Sequence, residues 1–177
     1  MRRHLQLALV LTVSLFAAAP LVHAQPAWDV AAQYGFDATA HEEYFHYYGL
    51  SVGMEYERYW QWGNGWSLDP GFSVNPGVLH AGGEDGFIVT AGPRLELNFP
   101  GDWLTLSGSV RAGALSEDEY GRMDIGGWFT FAEDIGIRVN LGRSLSAGYL
   151  FQHISNAEIY ADNPGVDLHM LEIRYRF

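Results

Sequence analysis

The sequence contains no cysteine and no lysine. Without cysteine there is no disulfide framework, so the chain must hold its fold by other means. Ten arginines face 21 Asp and Glu, for a net charge of −11. Phosphate backbones bind basic surfaces, so nucleic acid is not expected as a partner. No spacing of His, Cys and Asp marks a structural metal. Long apolar runs are scarce as well. One stretch, Leu5 to Pro20, is mainly apolar and uncharged, and nothing after it could cross a bilayer as a helix.

That single run reads as an export signal. Arg2 and Arg3 precede it, and Val22-His23-Ala24 follows as a small-x-small cleavage site, the pattern of a secretory signal peptide over residues 1–24. The mature chain is expected to begin near Gln25 and to form one domain over residues 25–177. Arg2 and Arg3 leave with the leader, so the mature chain carries 8 basic and 21 acidic residues, a net charge of −13.

What the chain has in plenty is aromatic residues, at 15%, and 21 glycines, finely interleaved with polar side chains. No helical periodicity follows Gln25. Eight alternating segments do, near 27–37, 44–60, 66–79, 87–99, 103–115, 127–142, 144–155 and 167–177. Turn clusters separate several of them: Trp62-Gly63-Asn64-Gly65, Gly82-Gly83-Glu84-Asp85-Gly86 and Pro100-Gly101-Asp102.

Side chains on a strand repeat with period two, so each segment can be read face by face. In the fourth, Phe87, Val89, Ala91, Pro93, Leu95, Leu97 and Phe99 oppose Thr90, Gly92, Arg94, Glu96 and Asn98. The second sets Tyr48, Leu50, Val52, Met54 and Tyr56 against Gly49, Ser51, Gly53, Glu55 and Glu57. The sixth sets Ile135, Ile137, Val139 and Leu141 against Gly136, Arg138, Asn140 and Gly142. A soluble sandwich would bury the apolar face. A membrane barrel turns it to lipid. An even strand count, aromatics near strand ends, and a last strand running to Phe177 favour the barrel. The expected fold is therefore all-β, an eight-stranded antiparallel transmembrane β-barrel with a polar, glycine-rich interior. Glu55, Glu57, Arg94, Glu96, Arg111, Arg138, Glu172, Arg174 and Arg176 could pair inside it. Pro93 needs a bulge or a non-bonding position. Glu133 sits on the apolar parity of its segment, which predicts a bulge or strand end there.

Functional residue types concentrate in Gln152-His153-Ile154-Ser155-Asn156-Ala157 and Asn163-Pro164-Gly165-Val166-Asp167. Ester hydrolysis by a serine needs a base within reach and a third group to orient that base. His153 and Ser155 share one face of the seventh segment with Leu145, Ala147, Tyr149 and Phe151. Asp167 and His169 share the face of Leu171, Ile173, Tyr175 and Phe177 on the eighth. All three candidates thus fall on the lipid side, where polar groups are costly. That is an odd place for structural residues and a suitable one for an enzyme acting on a membrane lipid. With both termini periplasmic, the loop between these segments is extracellular, so the site would face the outer leaflet of the bacterial outer membrane. Asn156 and Asn163 are candidate oxyanion donors, although Asn-Pro-Gly is also an ordinary turn sequence. His169 competes as base and Glu158 as orienter. His41, His46 and His80 read as loop or girdle residues, and Glu117-Asp118-Glu119 as a solvated turn.

His153-Ile154-Ser155-Asn156-Ala157 with the following Asn163-Pro164-Gly165 resembles the C-terminal motif of the lipid A 3-O-deacylases, the PagL family. The motif resemblance covers 152–177, and elsewhere it rests on size, leader and strand layout. It implies an eight-stranded outer-membrane barrel that removes an ester-linked hydroxyacyl chain from the lipid A of lipopolysaccharide and needs no cofactor. It also implies Ser155 as nucleophile, His153 as base and Asp167 as orienting carboxylate. A member of the family carries Glu at that third position, so Asp167 is one methylene shorter. Two other readings share the global features. One is a non-enzymatic barrel serving as anchor or adhesion surface. The other is a lipid A palmitoyltransferase, which would hold its acyl chain inside the barrel. The expected partners are lipopolysaccharide and membrane lipids, and the sequence leaves open whether the protein forms a homodimer.

Overall fold

The computed structural model describes residues 26–56 and 59–177. The expected leader, residues 1–24, lies outside them, as does Glu57. Eight long antiparallel strands dominate: β1 (Pro26–Asp37), β2 (His46–Tyr56), β3 (Trp66–Ala81), β4 (Glu84–Asn98), β5 (Leu104–Leu115), β6 (Phe129–Asn140), β7 (Leu145–Ser155) and β8 (Val166–Arg176). Each pairs with its sequence neighbours, and β1 pairs with β8 from Asp29↔Arg176 to Asp37↔Leu168. The sheet therefore closes, and none of the eight long strands is left as an edge, as a lipid-exposed sheet requires. With 11 to 16 residues each, the second and third strands are long enough to cross a bilayer at a tilt. The turns form where glycine and asparagine allow positive φ: Asn64 and Gly65 at 76° and 85°, Gly82 and Gly83 at 60° and 88°.

The expected face assignment holds along every strand read for it. Leu50, Val52, Phe87, Val89, Ile135, Ile137, Val139, Leu171 and Ile173 are exposed on the outer wall, while Ser51, Glu55, Thr90, Arg94, Glu96 and Arg138 are buried within. At the end that carries the termini, Asp29, Glu55, Glu96 and Glu172 interlock with Arg94, Arg138, Arg174 and Arg176. Arg138 donates to Glu96 at 3.0 Å and to Glu172 at 3.2 Å. Arg111, further along the barrel, pairs with Asp134 and donates to Gln152. Buried charges are tolerable only when paired and hydrogen-bonded in this way.

Three expectations need correction. The interior is polar only at that end and in the middle. Towards the other end Tyr47, Leu79, Ile88, Leu115, Leu150, Ile154, Leu168 and Met170 form an apolar core, joined by Phe45, Tyr120, Met123 and Ile125 from the loops. The acidic run at 117–119 is not merely a solvated turn: it leads into a small hairpin, Glu119–Tyr120 with Met123–Asp124, which folds Tyr120 fully into the barrel mouth. And Glu133 marks no bulge. The β5–β6 ladder runs in one register from Leu104↔Val139 to Ala114↔Phe129, so Glu133 stands exposed on the outer wall of an intact strand. Pro93 does occupy a non-bonding position, since the β4–β5 ladder skips from Ala91↔Ala112 to Arg94↔Ser109 without a change of register.

Candidate active site

His153 and Asp167 are direct cross-strand partners on β7 and β8. Both face outward, and His153 Nδ1 lies 2.7 Å from Asp167 Oδ1. A carboxylate at Nδ1 places the ring proton there and leaves Nε2 as a free base. The start of β8 is held in turn by Ala38 N–H, which donates to the Asp167 carbonyl at 2.9 Å. Ser155 ends β7 on the same face, two residues above His153, and its carbonyl accepts from Thr130 Oγ1 at 3.1 Å. Among the described residues no hydrogen bond joins Ser155 Oγ to His153. Such bonds commonly tighten only when substrate is bound.

Gly165 gives the imidazole its room. Its φ of +72° is a left-handed conformation, and a Cβ placed there would lie 2.9 Å from His153 Cε1. The two asparagines have different surroundings. Asn156 is buried, and its Nδ2 donates to the Ile125 carbonyl at 3.0 Å and the Asp162 carbonyl at 2.7 Å. Its side chain therefore has no proton left for an oxyanion. Its backbone N–H donates to Asn163 Oδ1 at 3.0 Å, which anchors the Asn163 amide beside Ser155 with Nδ2 unpaired among the described residues. Between them, Ala157 and Glu158 take φ of 53° and 64°, closed by Ile159 N–H donating to the Asn156 carbonyl at 3.1 Å. Two consecutive left-handed residues without glycine are strained, and such strain gathers at functional sites.

The competing residues are otherwise engaged. His169 Nδ1 bonds Tyr149 Oη at 2.6 Å, and its ring packs among Phe36, Tyr149 and Phe151. Glu158 is exposed on the strained turn, and it is Asp167 that meets the His153 ring. His46 bonds Tyr34, His80 bonds Asp85 and His41 bonds Asp37, all away from Ser155.

From His153 a groove of ≈ 680 Å³ runs across the outer wall, lined by Phe151, Ile135, Val110, Gly108, Leu106, Leu97, Leu95 and Pro93. Its floor is set by Gly108, which faces outward between Leu95 and Ile135 and leaves a dent in the apolar belt. Sequence reading missed Gly108 and the place of Glu133 at the head of this groove, and it named Gly165 within the motif without seeing that it makes room for His153. Only the wrong parity of Glu133 carried a signal.

A closed barrel with an apolar outer belt, bearing a His–carboxylate pair and a serine on that belt, has the build of an outer-membrane enzyme that meets its substrate in the lipid. The family model for lipid A 3-O-deacylase (PagL) matches residues 46–176. The crystal structure of the outer membrane enzyme PagL superposes with a TM-score of 0.72 at 21% identity, over 83% of this chain and 98% of that one, a likeness of fold. The crystal structure of Ail, the attachment invasion locus protein of Yersinia pestis, aligns at a TM-score of 0.45 and 14% identity over 86% of this chain and 97% of that one, too loosely to bear on the site. A search of the curated proteins found no match. The chain belongs to the lipid A 3-O-deacylase family, and is thus an outer-membrane ester hydrolase that deacylates lipid A.

Proposed function

We propose that the protein, exported by its N-terminal leader, removes the 3-O-linked hydroxyacyl chain of lipid A with Ser155 as nucleophile, His153 as general base and Asp167 as the group that orients it. The observation that carries this reading is the 2.7 Å contact between His153 Nδ1 and Asp167 Oδ1 on the outer wall. Serine, imidazole and carboxylate need one another's company for nucleophilic catalysis. A lipid-facing surface gives them no structural reason to be there.

In the proposed reaction Ser155 Oγ attacks the ester carbonyl while His153 Nε2 takes its proton. Asn163 Nδ2, fixed through its Oδ1 by the Asn156 N–H, donates to the developing oxyanion. Collapse of the tetrahedral intermediate breaks the bond to the sugar oxygen, which takes the proton from His153. Water, deprotonated by the same imidazole, then releases the acyl group as a free fatty acid. The groove leading away from His153 would hold the acyl chain in line with the nucleophile. With the termini periplasmic, the β7–β8 loop opens to the outer leaflet, where lipopolysaccharide resides. The site draws every residue from one chain, so a homodimer has no observation behind it.

Mass spectrometry of lipid A from cells expressing the wild type or Ser155→Ala tests this reading. Loss of one hydroxyacyl mass with the wild type and an intact lipid with the variant is expected. Equal deacylation by both would remove Ser155 from the mechanism. Unmodified lipid A in both, despite folded barrels, would move the anchor or adhesion reading forward.

A further inference from the structure

Five of the six tryptophans lie at the end of the barrel that carries the termini: Trp28 near the start of β1, Trp60, Trp62 and Trp66 around the β2–β3 connection, and Trp103 in the β4–β5 turn. Trp128 alone stands at the other rim, immediately before β6, and its ring is exposed. Indoles gather at membrane interfaces as anchoring belts. A single one at this rim, beside the strand that carries Ser155, is no belt.

Its backbone is fixed although its ring is exposed. The Trp128 carbonyl accepts from Leu115 N–H at 2.7 Å, and the next amide, Phe129 N–H, donates to Tyr160 Oη at 3.2 Å. Tyr160 belongs to the same β7–β8 loop as Asn163, so the mount of Trp128 and the catalytic site share one support. A side chain held open on a fixed backbone suits a ligand contact, because little freedom is left to lose.

The neighbouring rings give that contact a place. Ser155 pairs across with Phe131. From Phe131 an aromatic ridge climbs to Phe129, 5.2 Å away between ring centroids, and on to Trp128, a further 5.8 Å. The groove at His153 runs the opposite way, down the wall past Ile135 to Leu97 and Leu106. With the acyl chain in that groove, the alcohol side of the ester, a pyranose ring in lipid A, lies outward over the ridge.

We propose that Trp128, with Phe129 beside it, forms a subsite for the pyranose ring that carries the ester. This rests on the hydrolase reading of Ser155 and His153. One face of a pyranose presents C–H groups, which the electron-rich face of an aromatic ring attracts and covers. The indole N–H adds a donor for a sugar hydroxyl. These contacts are alike before and during bond cleavage, so they act on KM and leave kcat little changed.

The test uses the full-length protein in detergent. Its substrate is 3-O-tetradecanoyl glucosamine, and its reference is an alkyl fluorophosphonate, which labels a reactive serine without a sugar. In Trp128→Ala, kcat/KM for the sugar ester should fall by about 10-fold, through KM, while labelling keeps its wild-type rate. Trp128→Tyr, which retains an aromatic face, should recover most of the loss. An unchanged kcat/KM in Trp128→Ala overturns the proposal. So does an equal fall in labelling, which would mean that Trp128 supports the catalytic strand itself. A Trp128→Tyr variant no better than Trp128→Ala overturns it too. If the folded wild type neither cleaves the ester nor takes the label, the hydrolase reading fails and takes this inference with it. If the wild type does both and Ser155→Ala does neither, an unaltered Trp128→Ala condemns the subsite alone.

Discussion

His153 and Asp167 face each other across β7 and β8, with Nδ1 2.7 Å from Oδ1 on the lipid-facing wall. Direct opposition in the ladder fixes the separation of the two backbones, and the short Asp side chain spans it. Asp167→Asn keeps the shape but offers an amide in place of a full charge, and it no longer selects the tautomer with Nε2 free. We expect kcat to fall by about 10²- to 10⁴-fold. Asp167→Glu should retain more activity than Asp167→Asn. Steady-state kinetics on a 3-O-acylated glucosamine ester reads both, and an Asn variant at wild-type speed would remove Asp167 from the site.

Gly108 lends itself to a test of the groove. A Cβ added there would meet only the Asp134 carbonyl oxygen, at 3.6 Å, an ordinary contact. Gly108→Leu should therefore leave the barrel folded while filling the dent between Leu95 and Ile135. Each methylene kept from apolar contact forfeits about 0.8 kcal/mol. Long-chain esters should then lose roughly 10-fold or more in kcat/KM, and short-chain esters little. A uniform loss across chain lengths would show that the chain lies elsewhere.

The barrel and its outward face were legible because lipid demands a strict alternation. Val52, Val89 and Ile137 point out on three different strands, and no soluble core competes for them. The His153–Asp167 pairing was legible for the same reason, since parity and a hairpin loop bring both to one face. The upper interior was not. Leu150, Ile154, Leu168 and Met170 occupy the inward parity of β7 and β8, so those strands are apolar on both faces near the top, and alternation there says nothing of what fills the lumen. That Tyr120 turns in from a loop depends on contacts distant in sequence, such as its ring lying 5.4 Å from that of Phe45. Glu133 was misread because a period-two pattern treats any charge among apolar residues as a break in the strand, whereas both ladders run through it in one register.

Tyr120 tests that plug. Its ring is fully buried in the barrel mouth, and among the described residues its hydroxyl has no hydrogen-bond partner. Burial, with the nearby carboxylates of Glu117, Asp118 and Asp85, pushes the phenol's pKa above its ordinary value, so the group stays neutral. Tyr120→Phe removes an unsatisfied polar atom and should be neutral or stabilising by up to about 1 kcal/mol. Tyr120→Ala leaves a cavity and should cost about 3–5 kcal/mol. Urea unfolding in detergent measures both, and a destabilised Phe variant would reveal a partner for the hydroxyl.

Asn156 and Asn163 are adjacent in space but should fail in different ways. Asn156 Nδ2 donates to two carbonyls, those of Ile125 and Asp162, and so ties the β7–β8 loop to the loop before β6. Asn156→Asp is nearly isosteric, yet it sets a carboxylate against two carbonyl oxygens, so it should loosen the loop and lower stability by about 1–3 kcal/mol. Asn163 holds the Asn156 N–H through Oδ1, and in the proposed reaction its Nδ2 serves the oxyanion. Asn163→Ala removes that donor together with the acceptor of the Asn156 N–H, so a stability loss of about 1 kcal/mol should accompany the kinetic effect. Its kcat should fall by about 10²- to 10³-fold with KM nearly unchanged, the mark of a contact made in the transition state. Paired measurements of stability and kinetics on both variants separate the roles. Should Asn163→Ala keep its kcat, the oxyanion must take its donors from the strained turn at Ala157 and Glu158, whose backbone N–H groups follow Ser155 in the chain.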